Sequence, residues 1–205
     1  MIGTAKSVFV DTWPGGYIET FNRGKPGEEA LVVEHCLVPF YDKKKVALEI
    51  GCGGGLWITK YLLNNFAHVI ALDVIPKPAA LKGTSVTYIE LPDDSCNGVG
   101  ITECIDFIWS FGCFCHLPGQ TIREYLRTIY RMLQPDGIAV IMFGNWVRKG
   151  HPKQDESTAD IREHGEGTIW FYCDAVLAEK WCHEAGFTIK DLMPDYIHTV
   201  LHLSK

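Results

Sequence analysis

The residues best suited to chemistry lie between Val46 and Trp57, where an acidic side chain is followed by glycines at every second position: Glu49, Gly51, Gly53 and Gly55. Glycine adopts positive φ angles without strain and lets a ligand approach the backbone more closely than a Cβ atom would permit. A strand-like apolar segment leads into these glycines and a helix-like segment follows them, so the first amides of that helix would also face the ligand. The spacing therefore predicts a turn that binds a small ligand.

Asp73 is the second candidate for ligand binding, because it closes the apolar segment VIALD shortly after the glycine turn. A carboxylate placed about twenty residues after such a turn can accept both hydroxyl groups of a ribose. The turn does not follow the G-x-G-x-x-G pattern of nicotinamide dehydrogenases, since the sixth position is Leu56 when counted from Gly51 and Ile58 when counted from Gly53. The pair therefore indicates a nucleoside ligand other than a nicotinamide dinucleotide.

Three histidines are candidate general bases. His116 follows a predicted strand in the stretch FGCFCHLP, and the ordinary pKa of histidine suits proton removal near neutral pH. The alternative for His116 is packing or capping at the start of a helix. His151 and His164 lie in a polar segment, where histidines are usually only solvated.

The eight cysteines are scattered, and several lie inside apolar segments where a buried thiol packs well. This usage predicts a reducing, cytoplasmic setting. Cys113 and Cys115 raise the alternative of a soft metal or a metalloid such as arsenite. Two residues apart on an extended segment, their side chains point to opposite faces, and the sequence has no Cys-x-x-Cys pair, so we expect no metal site.

Short apolar runs alternate with amphipathic segments along the chain, which is typical of a largely parallel sheet covered by helices. The predicted fold is a Rossmann-like, doubly wound α/β domain with about seven strands and helices on both faces. The predicted strands are Val46–Ile50, Val69–Asp73, Val86–Glu90, Ile105–Ser110, Ile138–Phe143, Thr188–Met193 and His198–Leu203. The predicted helices are Pro26–Phe40, Trp57–Asn65, Ile122–Leu133 and Cys173–Ala185, and Pro135-Asp136-Gly137 is read as a turn after the third of these.

A chain of 205 residues with 47% apolar composition supports one substantial core, so we expect a single domain over residues 1–205. Residues 1–45 are expected to form a cap and residues 46–143 the ligand-binding core. Residues 144–170 are expected to form an insertion or lid, followed by a C-terminal helix and strand pair over residues 171–205.

With these residues in place, the chain resembles the class I S-adenosylmethionine-dependent methyltransferases, whose first motif has the same acidic-plus-glycine form. The resemblance extends from about Val46 to Phe143. It implies that the glycine turn, with Glu49, Gly51, Cys52, Gly53 and Gly55, holds the methionine part of S-adenosylmethionine, and that Asp73 binds the ribose.

The resemblance also implies roles for residues after the third and fourth strands. Leu91-Pro92-Asp93-Asp94 would contact the adenine, with Leu91 and Asp94 favoured. Ser110, at the end of the fourth strand, would lie beneath the cofactor, and His116 would lie beside the transferred methyl group. The usual glycine pair before the fifth strand is replaced here by Asp136-Gly137, a departure that affects a turn.

The charge and composition of the chain disfavour some classes of binding partner. The net charge of −6 would repel a phosphate backbone, and no apolar run is long enough to span a bilayer. The expected acceptor is a small molecule, bound in a pocket to which Trp13, Tyr17, Trp146, Trp170 and Tyr172 are candidate contributors. The expected oligomeric state is a monomer or a homodimer. The alternative function is a catalytically silent module that binds the cofactor and regulates a partner.

Overall fold

The computed structural model describes residues 27–93, 96, 99–144, 162–165, 168–171, 173, 175–193 and 198–205. These residues form nine strands and three α-helices. The strands are β1 Asp42–Ile50, β2 Phe66–Asp73, β3 Thr87–Glu90, β4 Ile105–Ser110, β5 Leu133–Phe143, β6 Arg162–Gly165, β7 Thr168–Phe171, β8 Thr188–Leu192 and β9 Thr199–Ser204. The helices are α1 Glu28–Cys36, α2 Gly119–Met132 and α3 Ala175–Glu184.

Seven strands form one sheet in the order β3-β2-β1-β4-β5-β9-β8. Strands β1 to β5 run parallel to one another, whereas β9 is antiparallel to both β5 and β8. The predicted doubly wound α/β fold with a mostly parallel sheet is confirmed. Because the strand order reverses between β1 and β4, a crevice opens at their carboxyl ends, where ligands bind in open sheets of this kind.

Each face of the sheet is covered by a separate apolar core. Strand side chains of one parity, including Leu48 and Ile50, pack with α2 and α3. Those of the other parity, including Ala47 and Trp109, pack with α1 and with a π-helical segment, Ile58–Leu62. Alternation along β1 therefore directs Glu49 toward the α1 side of the sheet.

The predicted helix Trp57–Asn65 is shorter and of a different type, because only Ile58–Leu62 is helical beyond the first turn and it is a π-helix. Thr59 Oγ1 donates to the carbonyl oxygens of Gly55 and Leu56, at 2.9 and 3.2 Å. Such back-bonding by a threonine disturbs the ordinary α-helical pattern. A helix nevertheless begins at Leu56, directly after the glycine turn, so the expectation that its first amides face a ligand stays a prediction.

Three other boundaries differ from the sequence-based expectations. Strand β1 begins at Asp42, so the expected boundary between cap and core at residue 45 falls inside a strand. The predicted turn Pro135-Asp136-Gly137 lies within β5, where the pairing with β4 shifts register between Ile105 and Phe107. The segment expected to be an irregular lid contains the antiparallel hairpin β6–β7.

In the residues that the structure describes, no helix is long and apolar enough to cross a membrane.

Candidate functional site

The glycine turn leaves the carboxyl end of β1 and is fastened to β2. Gly51 N donates to the carbonyl oxygen of Leu72 at 2.8 Å, and Gly55 N donates to that of Cys52 at 2.8 Å. Gly51, Gly53 and Gly55 have φ angles of +72°, +50° and +82°, a region that side chains with a Cβ atom rarely adopt. The sequence-based prediction of a turn built on positive φ angles is confirmed.

The surroundings of the three glycines differ in whether they leave room for a Cβ atom. A Cβ atom added at Gly51 would lie 2.5 Å from Cβ and Sγ of Cys113, and one added at Gly55 would lie 2.9 Å from the side chain of Leu81. A Cβ atom at Gly53 would meet nothing within 4 Å. Close protein packing therefore accounts for Gly51 and Gly55, and Gly53 alone has the open space that a ligand approaching the backbone requires.

Asp73 ends β2 directly beside this open position. Its Oδ2 accepts the amide of Gly53 at 2.7 Å, and its Oδ1 accepts the amides of Val74 at 2.7 Å and Ile75 at 3.2 Å. Burial raises the pKa of the Asp73 carboxyl, and these three backbone donors act in the opposite direction. Asp73 therefore holds the turn in shape and also presents an acceptor beside the open face of Gly53.

The neighbouring thiol and the third strand complete this side of the site. Cys52 is buried next to Asp73, and burial followed by the charge of Asp73 raises the pKa of its thiol, so Cys52 is a neutral packing residue here. Leu91 is buried just after β3 and donates its amide to the carbonyl oxygen of Asp73 at 2.7 Å. Asp94, the other residue expected at the adenine, lies outside the described residues, and Asp93 is exposed.

Glu49 is a buried acidic residue, and one of its carboxyl oxygens lacks a hydrogen-bond partner in the part of the chain that the structure describes. It is 1% exposed, and its Oε2 has no hydrogen-bond partner among the described residues. Burial, followed by the nearby charge of Asp73, raises the pKa of the Glu49 carboxyl well above its usual range. A buried carboxylate without a partner is costly, so a cationic group bound next to it would be stabilised.

Trp109 lies opposite Glu49 on the neighbouring strand, since the two residues pair across β1 and β4 and share one face of the sheet. Its indole Nε1 is also buried without a hydrogen-bond partner in the described part of the chain. Trp109 packs against Trp57 and Phe111, with ring centroids 5.2 and 5.3 Å away, and these two rings are 5.2 Å from each other. Sequence reasoning missed this aromatic cluster, because Trp57 meets Trp109 and Phe111 only when β1 and β4 are neighbours in the sheet.

The buried Glu49 predicts a specific pH dependence of stability. The folded state raises its pKa, so folding favours the protonated form, and this contribution to stability falls as pH rises from the unfolded pKa through the folded one. Glu49→Gln should therefore gain stability relative to the unsubstituted protein as pH rises from 5 to 8. The measurement is urea unfolding at both pH values with Glu34→Gln, an exposed glutamate on α1, as control. An equal difference at both pH values would contradict the burial argument.

The end of β4 joins the glycine turn across the crevice. Ser110 is fully buried, and its Oγ donates to the carbonyl oxygen of Ile50 at 3.0 Å. Cys113 lies against Gly51, as described above, and Gly112 has a φ of +78° with open space around its Cβ position. The ends of β1 and β4 are therefore locked together below the crevice.

His116 ends a short 3₁₀ turn, Phe114–His116, that follows this loop. Its side chain is 7% exposed, and its amide donates to the carbonyl oxygen of Cys113 at 2.9 Å. The structure thus places His116 three residues from the side chain that touches Gly51. This position is compatible with a base beside the crevice and with a packed histidine at the start of α2.

The structure describes only some of the remaining residues that the sequence suggested as bases, pocket residues or metal ligands. His151, Trp13, Tyr17, Trp146 and Tyr172 lie outside the described residues, while His164 and Trp170 have described backbones in β6 and β7. Cys115 is buried in the core on the α1 side, whereas Cys113 packs against the core on the α2 side. The two thiols therefore pack with different cores, although Cys115 lies in a 3₁₀ turn and not on the extended segment that the sequence-based argument assumed. The expectation of no metal site at these cysteines stays a prediction.

Comparison with known proteins gives one family and many similar folds. Residues 48–141 match the family of methyltransferase domains. No curated protein matches the sequence at a significant level.

Among solved structures, the chain is similar to a 1,6-didemethyltoxoflavin N1-methyltransferase of Burkholderia thailandensis, bound to 1,6-didemethyltoxoflavin and S-adenosylhomocysteine. The two are 18% identical, with a TM-score of 0.67, over 98% of this chain and 86% of that one. It is also similar to an S-adenosylmethionine-dependent methyltransferase of Mesorhizobium loti, with 14% identity and a TM-score of 0.67 over 89% and 99% of the two chains. A TehB-like methyltransferase of Corynebacterium glutamicum has 18% identity and a TM-score of 0.61 over 98% and 97%.

Proposed function

We propose that this chain, which has the methyltransferase domain and the fold of the class I S-adenosylmethionine-dependent methyltransferases, transfers a methyl group to oxygen or nitrogen of a small molecule. The observation that carries the proposal is the open face of Gly53 beside the Asp73 carboxylate, at the point where the strand order reverses. The resemblance in the first motif and the family match both fall on this part of the chain.

The residues at this site fit S-adenosylmethionine in charge and in space. The cofactor carries a cationic ammonium and a cationic sulfonium. The buried Glu49 Oε2 has no hydrogen-bond partner among the described residues, so a cationic group could pair with it. Its nucleoside offers ribose hydroxyls, for which Asp73 is an acceptor. Gly51, Cys52, Gly53 and Gly55 would shape the turn, Leu91 and Asp94 would lie at the adenine, and Ser110 would support the floor.

The chain's own contribution to catalysis is mainly position. Bound S-adenosylmethionine supplies an activated methyl group on its sulfonium. The protein has to hold an acceptor atom in line with that methyl group and, for a hydroxyl or an ammonium acceptor, to take up one proton. The locked ends of β1 and β4, joined by the Ser110 to Ile50 hydrogen bond, provide a rigid floor for this alignment.

His116 is the proposed base, because it lies just beyond this floor on the β4 side. His116→Ala should lower kcat by roughly 100-fold or more, the usual contribution of a general base, while cofactor affinity changes less than about twofold. The measurement is turnover together with calorimetric cofactor binding. The matched control is His68→Ala, which removes an exposed histidine hydrogen-bonded to Thr87 on β3. Full activity of His116→Ala would remove the histidine from the mechanism.

Two observations support a small acceptor. The solved methyltransferase from B. thailandensis holds a small molecule, 1,6-didemethyltoxoflavin, and this chain covers 86% of that protein. The net charge of −6 disfavours a nucleic acid as the acceptor.

The proposal extends to the cellular setting. All eight cysteines are free thiols, which fits a reducing compartment such as the cytoplasm. A single domain acting as a monomer or a homodimer completes the proposal.

The experiment that tests turnover is incubation with methyl-labelled S-adenosylmethionine and a metabolite extract. A methyltransferase yields S-adenosylhomocysteine together with a labelled product that depends on the extract, and mass spectrometry of that product identifies the acceptor. A silent cofactor-binding module would retain the cofactor and form neither compound. The same extract without protein, and with Asp73→Ala, provides the background.

A further inference from the structure

Three side chains from distant parts of the chain meet on the α1 side of the sheet, away from the glycine turn. His35 lies in the last turn of α1, Asp191 lies on β8 and His202 lies on β9. Each offers one ligand atom, and the three atoms lie within 4.8 Å of one another. We propose that His35, Asp191 and His202 form a binding site for a zinc ion.

The arrangement of the backbone explains why these three side chains meet. Asp191 pairs directly with His202 across the antiparallel β8–β9 ladder, so both can face the same side of the sheet. Helix α1 packs on that side through Val32 and Cys36, which belong to the same core as Val200. Cys36 Sγ lies 3.6 Å from Met193 Sδ, and this contact fixes the end of α1, where His35 lies, next to β8.

The polar atoms of the cluster are poorly satisfied without a cation. His202 is 5% exposed, and its Nε2 has no hydrogen-bond partner among the described residues. His35 Nε2 lies 3.1 Å from Asp191 Oδ2, within ion-pair distance, but has no hydrogen-bond partner among the described residues. Unpartnered buried nitrogen is uncommon, and two such nitrogens beside one carboxylate are a set that a cation would satisfy together.

The ligand types select the class of metal. Two imidazoles and one carboxylate suit zinc and neighbouring transition metals, whereas magnesium and calcium prefer oxygen ligands only. Zinc ligands lie about 2.0 to 2.2 Å from the metal and thus about 3.4 Å apart in a tetrahedron, so the cluster needs only a modest contraction. His35 and Asp191 have side chains 31% and 51% exposed, which leaves the fourth position open to water.

Bound zinc would tie α1 to the β8–β9 edge of the sheet, which makes the site a structural one. It lies apart from the glycine turn, because strands β4 and β5 separate β9 from β1, the strand that leads into the turn. The proposal therefore stands or falls independently of the proposed methyl transfer.

The test is titration of the metal-free, full-length protein with zinc chloride, followed by calorimetry. We expect one equivalent to bind, with affinity at least tenfold weaker in His35→Gln and in Asp191→Asn. Both positions are partly exposed, so neither substitution leaves a cavity in a core. His68→Gln, which removes a histidine on β2, should bind zinc as tightly as the unsubstituted protein.

Two further measurements distinguish zinc binding at this site from zinc binding by the free thiols and from a simple ion pair that binds no metal. Cobalt in place of zinc should give the visible spectrum of a nitrogen and oxygen site, without a thiolate charge-transfer band. Zinc at a hundredfold excess over its dissociation constant should raise Tm by roughly 5 to 10 °C, whereas the two variants should show little change. The absence of saturable binding, an affinity in either variant equal to that of the unsubstituted protein, or a thiolate band would each overturn the proposal.

Discussion

Replacing Asp73 with alanine is expected to weaken the binding of S-adenosylhomocysteine by roughly 10- to 150-fold, equivalent to about 1.5 to 3 kcal/mol for hydrogen bonds to a charged group. The carboxylate is the acceptor proposed for the ribose, and it also holds the amide of Gly53 at 2.7 Å. Its loss therefore removes a ligand contact and releases the turn on which the ligand lies. Calorimetric titration of the purified variant measures the effect.

The matched control is Asp106→Ala. Asp106 Oδ2 also accepts a backbone amide from β1, that of Val46 at 2.8 Å, but it does so near the amino end of β4 and far from the glycine turn. This substitution should reduce stability and leave cofactor affinity unchanged. If both variants bound the cofactor as tightly as the unsubstituted protein, the ribose role of Asp73 would be wrong.

Replacing Gly51 with alanine is expected to lower the free energy of unfolding by about 2 to 5 kcal/mol. A residue with a Cβ atom at a φ of +72° costs about 1 to 2 kcal/mol, and overpacking costs about 1 to 3 kcal/mol more. The overpacking is specific, because the new Cβ atom would lie 2.5 Å from Cβ and Sγ of Cys113. Urea unfolding measures the loss.

Gly83→Ala separates the two costs of this substitution. Gly83 has a φ of +78°, close to that of Gly51, but a Cβ atom there meets nothing within 4 Å, so only the backbone cost of about 1 to 2 kcal/mol applies. Adding Cys113→Gly to Gly51→Ala should remove the clash and recover part of the lost stability relative to Cys113→Gly alone. Equal losses in Gly51→Ala and Gly83→Ala would show that the Cys113 contact is not tight.

The sequence predicted the parts of the site that depend on local pattern. A strand ending in an acidic residue and spaced glycines, and a second strand ending in Asp73, are both readable from neighbouring residues, and the structure brings these two ends together. The strong amphipathic pattern of α2 placed that helix correctly within three residues at its start and one at its end. Local periodicity and turn chemistry are sufficient for such elements.

The features that the sequence did not predict depend on contacts between segments that are distant along the chain. The partner of Gly51 is Cys113, and Glu49 lies opposite Trp109, because β1 and β4 are neighbours only in the folded sheet. The segment after the turn is a π-helix in which the Thr59 hydroxyl donates to the carbonyl oxygen of Gly55, and local periodicity does not predict this helix type. His35 is likewise remote in sequence from the two other residues of the proposed zinc site, so spacing gave no signal for it.

The most direct test of the account is calorimetric titration of the unmodified protein with S-adenosylmethionine and, separately, with S-adenosylhomocysteine. The site at Gly53, Asp73 and Glu49 predicts a single binding event for each, with micromolar or tighter affinity and one ligand per chain. A titration of folded protein that showed no heat of binding for either compound, at temperatures chosen to avoid a vanishing enthalpy, would contradict it.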